Sequence, residues 1–253
     1  MILNAFLKHL GSCYYLIQEA FYWILVGPFK KRGVKIKETV IQIEKVGANS
    51  LLIVGLVSLF FGLTLAMLTA YQLRKLGSEI LVGSLVGVSF MRELGPLLTA
   101  LVVAGRVGAS FAAEIGSMLV SEEIDALESM GIQPVSHLVS PRLIALGLTL
   151  PCLTLYSDVL GIIGGLIIAI FSLSLDVHYF FSNLFASLVI KDLWTGLLKS
   201  FSFAVIIVGI GCYQGLTVRG GAEGVGIATT KAVVLSMILI IIVDCFWNAW
   251  FYF

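Results

Sequence analysis

The sequence predicts an all-α integral membrane protein, with an N-terminal interfacial helix, five transmembrane helices and one short loop helix. Hydrophobic residues make up 59% of the chain and charged residues only 12%. Several uncharged runs exceed the roughly 20 residues that a helix needs to cross a bilayer, which a soluble core does not require. The 16 basic and 15 acidic residues nearly cancel, so the charge balance does not point to nucleic acid.

The first predicted element is a helix within residues 10–29, an apolar segment interrupted only by Gln18 and Glu19. Its many aromatic residues, and the lack of a small-residue cleavage pattern after it, argue against a signal peptide. An aromatic helix followed by a basic cluster is typical of the membrane surface. We therefore interpret residues 1–45 as a cytoplasmic interfacial helix with a basic linker. A sixth span over residues 10–29 is the alternative.

Five spans are predicted within residues 46–253 from long segments that are poor in ionisable residues. In chain order they lie between Lys45 and Arg74, from Ile80 to Ala113, from Arg142 to Leu175, between Lys199 and Arg219, and from Ala232 to Phe253. Seven basic residues precede the first span, so the positive-inside tendency places the N-terminus in the cytoplasm. The loops at residues 117–142 and 215–231 then also face the cytoplasm, whereas residues 172–192 and the C-terminus face outward.

The second span contains a proline and two adjacent charges near its middle. Pro96 has no N–H to donate to the carbonyl of Arg92, so we expect a kink and an exposed backbone acceptor there. Arg92 and Glu93 point about 100° apart on a helix, so they should not pair with each other. Each of the two charges therefore needs a partner elsewhere.

A polar stripe continues the same segment, because Arg106, Ser110 and Glu114 follow one another at a spacing of four among glycines and alanines. Small residues allow a second helix to approach closely, and each intramembrane charge costs roughly 2.5 to 3.5 kcal/mol on insertion scales. Two interpretations of Arg92, Glu93, Arg106 and Glu114 stay open. They form structural ion pairs between helices, or they contact a lipid headgroup or transmit a conformational change.

A short helix is predicted at about residues 121–131, in the loop after the second span. Ser121 is a suitable N-cap, acidic residues in the first turn complement the helix dipole, Gly131 suits the C′ position, and Pro134 blocks continuation. Such a short helix is marginal alone in water, so it needs a surface to dock on. Its acidic positions are Glu122, Glu123, Asp125 and Glu128, and its apolar positions are Ile124, Leu127 and Met130. It is either an ordinary interfacial loop helix or a coupling helix that binds a soluble motor subunit.

Two stretches carry a resemblance to a known family. MRELGPLLTALVVAGRVGASFAAEIGSMLVSEEIDALESMGIQPVSHLVSPRLIA and, near the C-terminus, GGAEGVGIATTKAVV closely resemble the permease subunit of MlaE-type ABC transporters. The resemblance covers nearly the whole chain, as a single ABC permease domain over residues 1–253. One departure is Ile227, where the family pattern suggests a basic residue.

The resemblance implies an ATP-driven transporter of phospholipids or related lipids, and it implies the partners. These are a second copy of the chain, an ABC ATPase that holds ATP and Mg²⁺, and a substrate-binding protein with an MCE domain. The chain itself has no Walker A motif, so we expect no catalytic site and no cofactor on it. By analogy with the family, a lipid cavity draws on the last span and on the first span around Leu65, Met67, Leu68 and Leu73.

The same resemblance implies a bacterial inner membrane or a plastid inner envelope, with the N-terminus on the cytoplasmic or stromal side. It leaves the direction of transport and the identity of the lipid open. Two other classes of function remain as alternatives. Asp158 and Asp244 suggest an ion-coupled secondary transporter or channel, and the acidic loop suggests a membrane scaffold that recruits a soluble protein. The scattered cysteines and histidines do not predict a metal site.

Overall fold

The computed structural model describes residues 2–26 and 36–252. The basic residues Lys30, Lys31, Arg32 and Lys35, on which the orientation argument partly depends, lie outside the described residues. The described chain contains α-helices, one 3-10 turn and three π-helical turns, with no strand in either described range. The prediction of an all-α fold is therefore confirmed.

The α-helices follow one another with short connections. In chain order they are α1 (Ile2–Val26), α2 (Ile36–Lys75), α3 (Val82–Ser89), α4 (Gly95–Val103), α5 (Ala109–Val120), α6 (Glu123–Ser129), α7 (Ser140–Leu173), α8 (Val177–Ser187), α9 (Ile190–Leu216) and α10 (Gly221–Tyr252).

Five helical segments are long and apolar enough to cross a membrane, as the sequence predicted. They are Lys37–Lys75, Glu79–Val120, Val135–Leu173, Ile190–Leu216 and Gly221–Tyr252. Each begins or ends several residues beyond the predicted span, because helices continue past the uncharged run into polar sequence.

The second span changes helical geometry at its charged residues. π-helical turns at Phe90–Leu94 and Ala104–Gly108 separate α3 from α4 and α4 from α5. The first turn carries Arg92 and Glu93 and immediately precedes Gly95-Pro96, and the second carries Arg106. A wider turn leaves backbone carbonyls without their usual partners, and such turns are frequent at functional sites.

The chain divides into two compact units. Unit 1 comprises Met1–Ala48, Val103–Thr149 and Ser202–Val243, and unit 2 comprises Asn49–Val102, Leu150–Phe201 and Asp244–Phe253. Unit 1 therefore contains α1, α6 and the turn before α10, which are the segments that the sequence assigned to one side of the membrane.

Backbone contact between helices holds unit 2 together. A Cβ atom on Gly62 of α2 would lie 2.1 Å from the carbonyl oxygen of Gly161 in α7, and one on Gly164 would lie 2.4 Å from the carbonyl oxygen of Leu59. Only glycine permits such an approach. Beside it, a buried apolar cluster joins the end of α2 to α3, and its members are Ala66, Ala70, Leu73, Val82, Val86 and Phe90.

The helix α1 is amphipathic. Cys13, Leu16 and Ala20 are buried, whereas Tyr14 and Tyr15 are each 69% exposed. The predicted N-terminal helix is thus confirmed over residues 10–26, while its location at the membrane surface stays a prediction. Burial raises the pKa of the Cys13 thiol to about 11, so this cysteine is a packing residue and not a reactive one.

Two connections differ from the predicted loops. Residues 172–192 contain α8, whose Phe180 and Leu184 are buried in a cluster with Ile162 and Ala169 of α7. This helix was not predicted, because its apolar residues recur within a short aromatic segment. The predicted loop at residues 215–231 is mostly wrong, since α10 begins at Gly221. The hydroxyls of Thr229 and Thr230 donate to the carbonyl of Gly226 inside that helix.

Candidate functional site

A buried lysine organises the polar centre of unit 2. Lys199, on α9, has no exposed surface, and its Nζ donates to Glu93 (2.8 Å) and to Oδ1 of Asn248 (2.6 Å). It also donates to the carbonyl oxygen of Arg92 at 3.1 Å. The carbonyl of Arg92 was predicted to be an exposed acceptor, because Pro96 has no N–H to donate to it. A buried ammonium without such acceptors would be prohibitively costly.

Asp244 and Asn248 of α10 complete this cluster. Oδ1 of Asp244 lies 2.9 Å from the Lys199 ammonium, although not in hydrogen-bonding direction. Asn248 donates to Oε1 of Glu93 at 3.0 Å. Four acceptors therefore surround the three N–H groups of one lysine. The lysine cluster, Glu93, Lys199, Asp244 and Asn248, contains two carboxylates and one cation.

Arg92 pairs elsewhere, as expected. Its guanidinium forms two hydrogen bonds with the Asp192 carboxylate, at 2.7 and 3.1 Å, and lies 5.1 Å from the ring centroid of Tyr252. The bidentate geometry is the strong form of this interaction. The Asp192 side chain is 2% exposed while that of Arg92 is 36% exposed, so the arginine is the accessible partner.

Asp192, Lys199 and Asn248 were not predicted as site residues, and Lys199 marked only the boundary of a predicted span. A signal was present. Asp192 and Lys199 are seven residues apart and Asp244 and Asn248 are four apart, so each pair lies on one face of its helix. Polar residues at such spacing within apolar segments are expected to face protein and not lipid.

Glu114 is the centre of a second polar group, in unit 1. Its carboxylate accepts from Lys45 of α2, from Ser110 (3.0 Å) and from Arg142 of α7 (3.0 Å). Arg142 was predicted to lie at the edge of a loop, but it is 5% exposed, donates to the Leu138 carbonyl (3.0 Å) and belongs to α7. Glu114 thus joins three helices, which agrees with the structural interpretation of the polar stripe.

Asp158 is separate from both groups. It is 4% exposed, and within the described part of the chain its Oδ1 has no hydrogen-bond partner. The carboxyl occupies space beside Gly95, where a Cβ atom would lie 1.7 Å from that oxygen. Gly95 therefore makes room for a buried acid next to the π-helical turn.

The loop helix α6 ends as predicted. Gly131 has a φ of +71°, and the N–H groups of Gly131 and Ile132 donate to the carbonyls of Glu128 (2.9 Å) and Leu127 (3.0 Å). This pair of bonds is a Schellman motif. The helix has seven residues, compared with the nine or so that the sequence suggested.

The predicted N-cap of α6 is wrong. Glu122, with a φ of 60°, takes the N-cap position, and no side chain caps the helix. The Ser121 hydroxyl instead donates to the carbonyl of Ser117 (3.1 Å) and to the carboxylate of Glu123 (3.0 Å). Ser121 still follows the last turn of α5, whose unsatisfied carbonyls compete for its hydroxyl.

The three residues on the apolar face of α6 differ in exposure. Ile124 is 5% exposed and packs within its own chain, Leu127 is half-buried, and Met130 is 66% exposed. The four acidic residues, Glu122, Glu123, Asp125 and Glu128, are exposed, and none forms an ion pair within the described chain. The surface that α6 offers is therefore acidic, with Met130 at its end.

The four residues expected to line a lipid cavity also differ in exposure. Met67 and Leu68 are 50% and 63% exposed, whereas Leu73 is 8% exposed and Leu65 packs against the same buried cluster. Met67 lies at a groove of about 230 Å³ that Arg74 and Ser172 also line. Of the four residues, Met67 and Leu68 are thus the ones with a free surface.

No group of three or more potential metal ligands occurs among the described residues. The five spans define an α-helical integral membrane protein.

Comparison with known proteins identifies the family. The family described as "Permease MlaE" matches residues 39–250, and the chain belongs to this permease family. A probable ABC transporter permease protein of Synechocystis sp. is 38% identical over 251 residues, which cover 99% of this chain and 93% of that protein. A probable ABC transporter permease protein of Rickettsia prowazekii is 39% identical over 226 residues, or 89% and 87% of the two chains.

A plant relative extends the range of the family. The protein TRIGALACTOSYLDIACYLGLYCEROL 1, chloroplastic, of Arabidopsis thaliana is 36% identical over 216 residues, which cover 85% of this chain and 62% of that protein. The chain is therefore a permease of this family.

Proposed function

We propose that this chain is the membrane subunit of an ATP-driven transporter that moves phospholipids or related lipids between membranes. The observation that carries the proposal is the acidic surface of α6, which forms no ion pair within the described chain. The names of the relatives, probable ABC transporter permease proteins, agree with it. A short, exposed, highly charged helix at a loop is suited to dock on a soluble partner.

The coupling contact uses the 121–131 segment. Glu122, Glu123, Asp125 and Glu128 select a basic rim on the ATPase, and Met130 adds an apolar contact. Ile124, which is buried within the chain, transmits the movement of the docked helix inward, and Leu127 bridges the two surfaces. ATP and Mg²⁺ bind to the ATPase, and the N-terminus lies on the same cytoplasmic or stromal side.

Lipid handling requires a continuous apolar path. At about 0.8 kcal/mol per CH₂ group, exposing two acyl chains to water costs on the order of tens of kcal/mol. The spans that contain α2 and α10 have the largest free apolar surface, since 28% and 22% of their most apolar windows are buried, against 50–56% for the other three. We assign the path to these two faces, with Met67 and Leu68 on its wall.

Two copies of the chain enclose this path in the proposal. A homodimer covers the exposed faces of α2 and α10 that a single chain leaves open, and an MCE-domain protein receives or delivers the lipid at the outer face. The name of the Arabidopsis relative is that of a glycolipid, which supports a lipid as cargo.

In this proposal, the intramembrane charges of Arg92 and Glu93 face the headgroup of the transported lipid. Arg92 and Glu93 have side chains that are 36% and 33% exposed, whereas their partners Asp192 and Lys199 are 2% and 0% exposed. The buried partners hold the two accessible charges in place. Glu114 acts where α5 meets α2 and α7, since it bonds to Lys45 and Arg142, and Arg106 lines a groove with Lys45 and Ser110 beside it. Movement of α6 and α5 is transmitted to α2 and α7 at this place.

Affinity purification of the tagged chain from its native host, with proteins and lipids measured together, tests the proposal. We expect an ABC ATPase, an MCE-domain protein and phospholipid to copurify. A homogeneous chain without an ATPase would favour an ion-coupled transporter or a scaffold, which the acidic loop and the buried Asp158 and Asp244 had left as alternatives.

A further inference from the structure

A small basic groove lies in unit 1, beside the Glu114 group. It has a volume of about 140 Å³ and is lined by residues of α2, the second π-helical turn and α5, which are Lys45, Val46, Arg106, Val107, Ser110 and Phe111. Its lining contains two cationic side chains and one hydroxyl, and no carboxylate. The volume exceeds the space that several water molecules need.

The surrounding charges are predominantly positive. Lys45 and Arg142 both bond to the single carboxylate of Glu114, so with Arg106 the four named side chains carry three positive formal charges and one negative. Arg142 stacks at 5.3 Å from the ring centroid of Phe111, which forms part of the wall. Such a field attracts an anion, and it repels a cation or an acidic partner.

The remaining wall is apolar. Val46, Val107 and Phe111 lie beside the polar groups, and the Lys45 side chain is 49% exposed. Lys45 directly precedes the uncharged run of the first span, so the groove occurs where a span enters the bilayer. Val46, Val107 and Phe111 are each at most 3% exposed, so the accessible part of the groove is mainly cationic. Because the groove lies where a span enters the bilayer, a lipid headgroup is the anion that a membrane places beside it.

We infer that the groove lined by Lys45, Arg106 and Ser110 is a binding site for the phosphate of an anionic phospholipid headgroup. Arg106 and Lys45 contact the phosphate oxygens at the open side of the groove, while the Ser110 hydroxyl stays donated to Glu114. The site is distinct from the lysine cluster of unit 2. It requires only that the chain lies in a bilayer, so its failure would leave the proposed transport function untouched.

Native mass spectrometry tests the site. The full-length chain is reconstituted in nanodiscs with equal amounts of phosphatidylglycerol and phosphatidylcholine, and the lipids retained after release into mild detergent are counted. We expect selective retention of phosphatidylglycerol. Arg106→Gln should lower that retention about tenfold, since a charge-assisted contact is lost, and Arg106→Lys should keep most of it.

Lys37→Gln is the matched control. Lys37 is an exposed cation on the same helix as Lys45 but outside the groove, so this variant should retain phosphatidylglycerol as the unchanged chain does. Circular dichroism and gel filtration confirm that each variant is folded.

Equal retention of both lipids, or equal retention by Arg106→Gln and the unchanged chain, would overturn the inference. A parallel titration with inorganic phosphate separates the two possible sources of the anion. Arg106-dependent binding of inorganic phosphate without retained lipid would identify a site for soluble phosphate and would contradict the lipid assignment.

Discussion

Single charged residues in this protein are held by partners on other helices. Lys199, fully buried in an apolar span, contacts two carboxylates, an amide oxygen and a backbone carbonyl. Pro96 explains part of this arrangement, because the carbonyl of Arg92 loses its usual donor and accepts from Lys199 instead. A buried charge of this kind is costly to desolvate, and removing one partner leaves the others uncompensated.

Replacing Lys199 tests the role of the lysine cluster. Lys199→Met should destabilise the protein by about 3–5 kcal/mol, because Glu93 and Asp244 are left as unpaired carboxylates. Thermal unfolding in detergent measures the loss. Lys191→Met is the control, since Lys191 is exposed, donates to the backbone carbonyl of Phe251, lies 5.7 Å from the ring centroid of Tyr252 and forms no ion pair among the described residues.

Combining Lys199→Met with Glu93→Gln and Asp244→Asn should restore most of the lost stability, since the triple variant has no uncompensated charge. If Lys199→Met is as stable as the unchanged chain, the cluster does not stabilise unit 2 in the way described.

At the scale of helices, close backbone contact and exposed charge have different functions. Gly62 and Gly164 allow α2 and α7 to touch through their backbones, whereas α6 offers its acidic side chains to solvent. The first feature sets the packing of the spans. The exposed acidic side chains of α6 form no ion pair within the described chain, which is why we assign them to a contact with a partner protein.

A pair of glycine substitutions separates packing from helix propensity. Gly62→Ala should destabilise the protein by about 1–3 kcal/mol, because its Cβ would overlap the Gly161 carbonyl oxygen. At Gly226 in α10 nothing lies within 4 Å of an added Cβ, so Gly226→Ala should be neutral or stabilising by up to about 1 kcal/mol. Equal Tm values for the two variants would contradict the close packing of α2 on α7.

Charge reversal on α6 tests its contact with the ATPase. Asp125→Lys and Glu128→Lys should each weaken binding of the copurifying ATPase about tenfold at low salt, because an acidic surface steers and holds a basic rim. Glu44→Lys, which reverses an exposed acid on α2, is the matched control. Surface plasmon resonance measures the affinity, and unchanged binding by both α6 variants would remove this helix from the interface.

Much of the fold, but little of the polar centre, was predictable from the sequence. Long uncharged runs indicated the five spans because hydrocarbon tolerates few alternatives, and Gly131 indicated the end of α6 because its left-handed φ favours glycine. The partners of Glu93 were not predictable. Lys199 and Asn248 are more than a hundred residues away in the chain, and only tertiary packing brings them to it. The choice of Ser121 as N-cap failed because a neighbouring helix end competed for its hydroxyl.

At the scale of the whole molecule, the exposed apolar faces of α2 and α10 require a cover, which in our proposal is a second copy around a lipid path. In a variant without the four native cysteines, Leu68→Cys should form an intermolecular disulfide in native membranes. Phe171→Cys, at a residue that is 83% exposed on α7, should not. The readout is a dimer band on a non-reducing gel. Cross-linking at Phe171 and not at Leu68 would place the contact on a different face.

The central claim is that the chain carries lipid when its partner hydrolyses ATP. The most direct measurement is transfer of a fluorescent phospholipid between liposomes that hold the complete complex and acceptor liposomes or the MCE-domain protein, with and without ATP. The account predicts transfer that requires ATP hydrolysis and that falls at least about tenfold in the Asp125→Lys complex, since coupling through α6 is then weakened. ATP-independent transfer, or ATP turnover without any lipid movement, would contradict it.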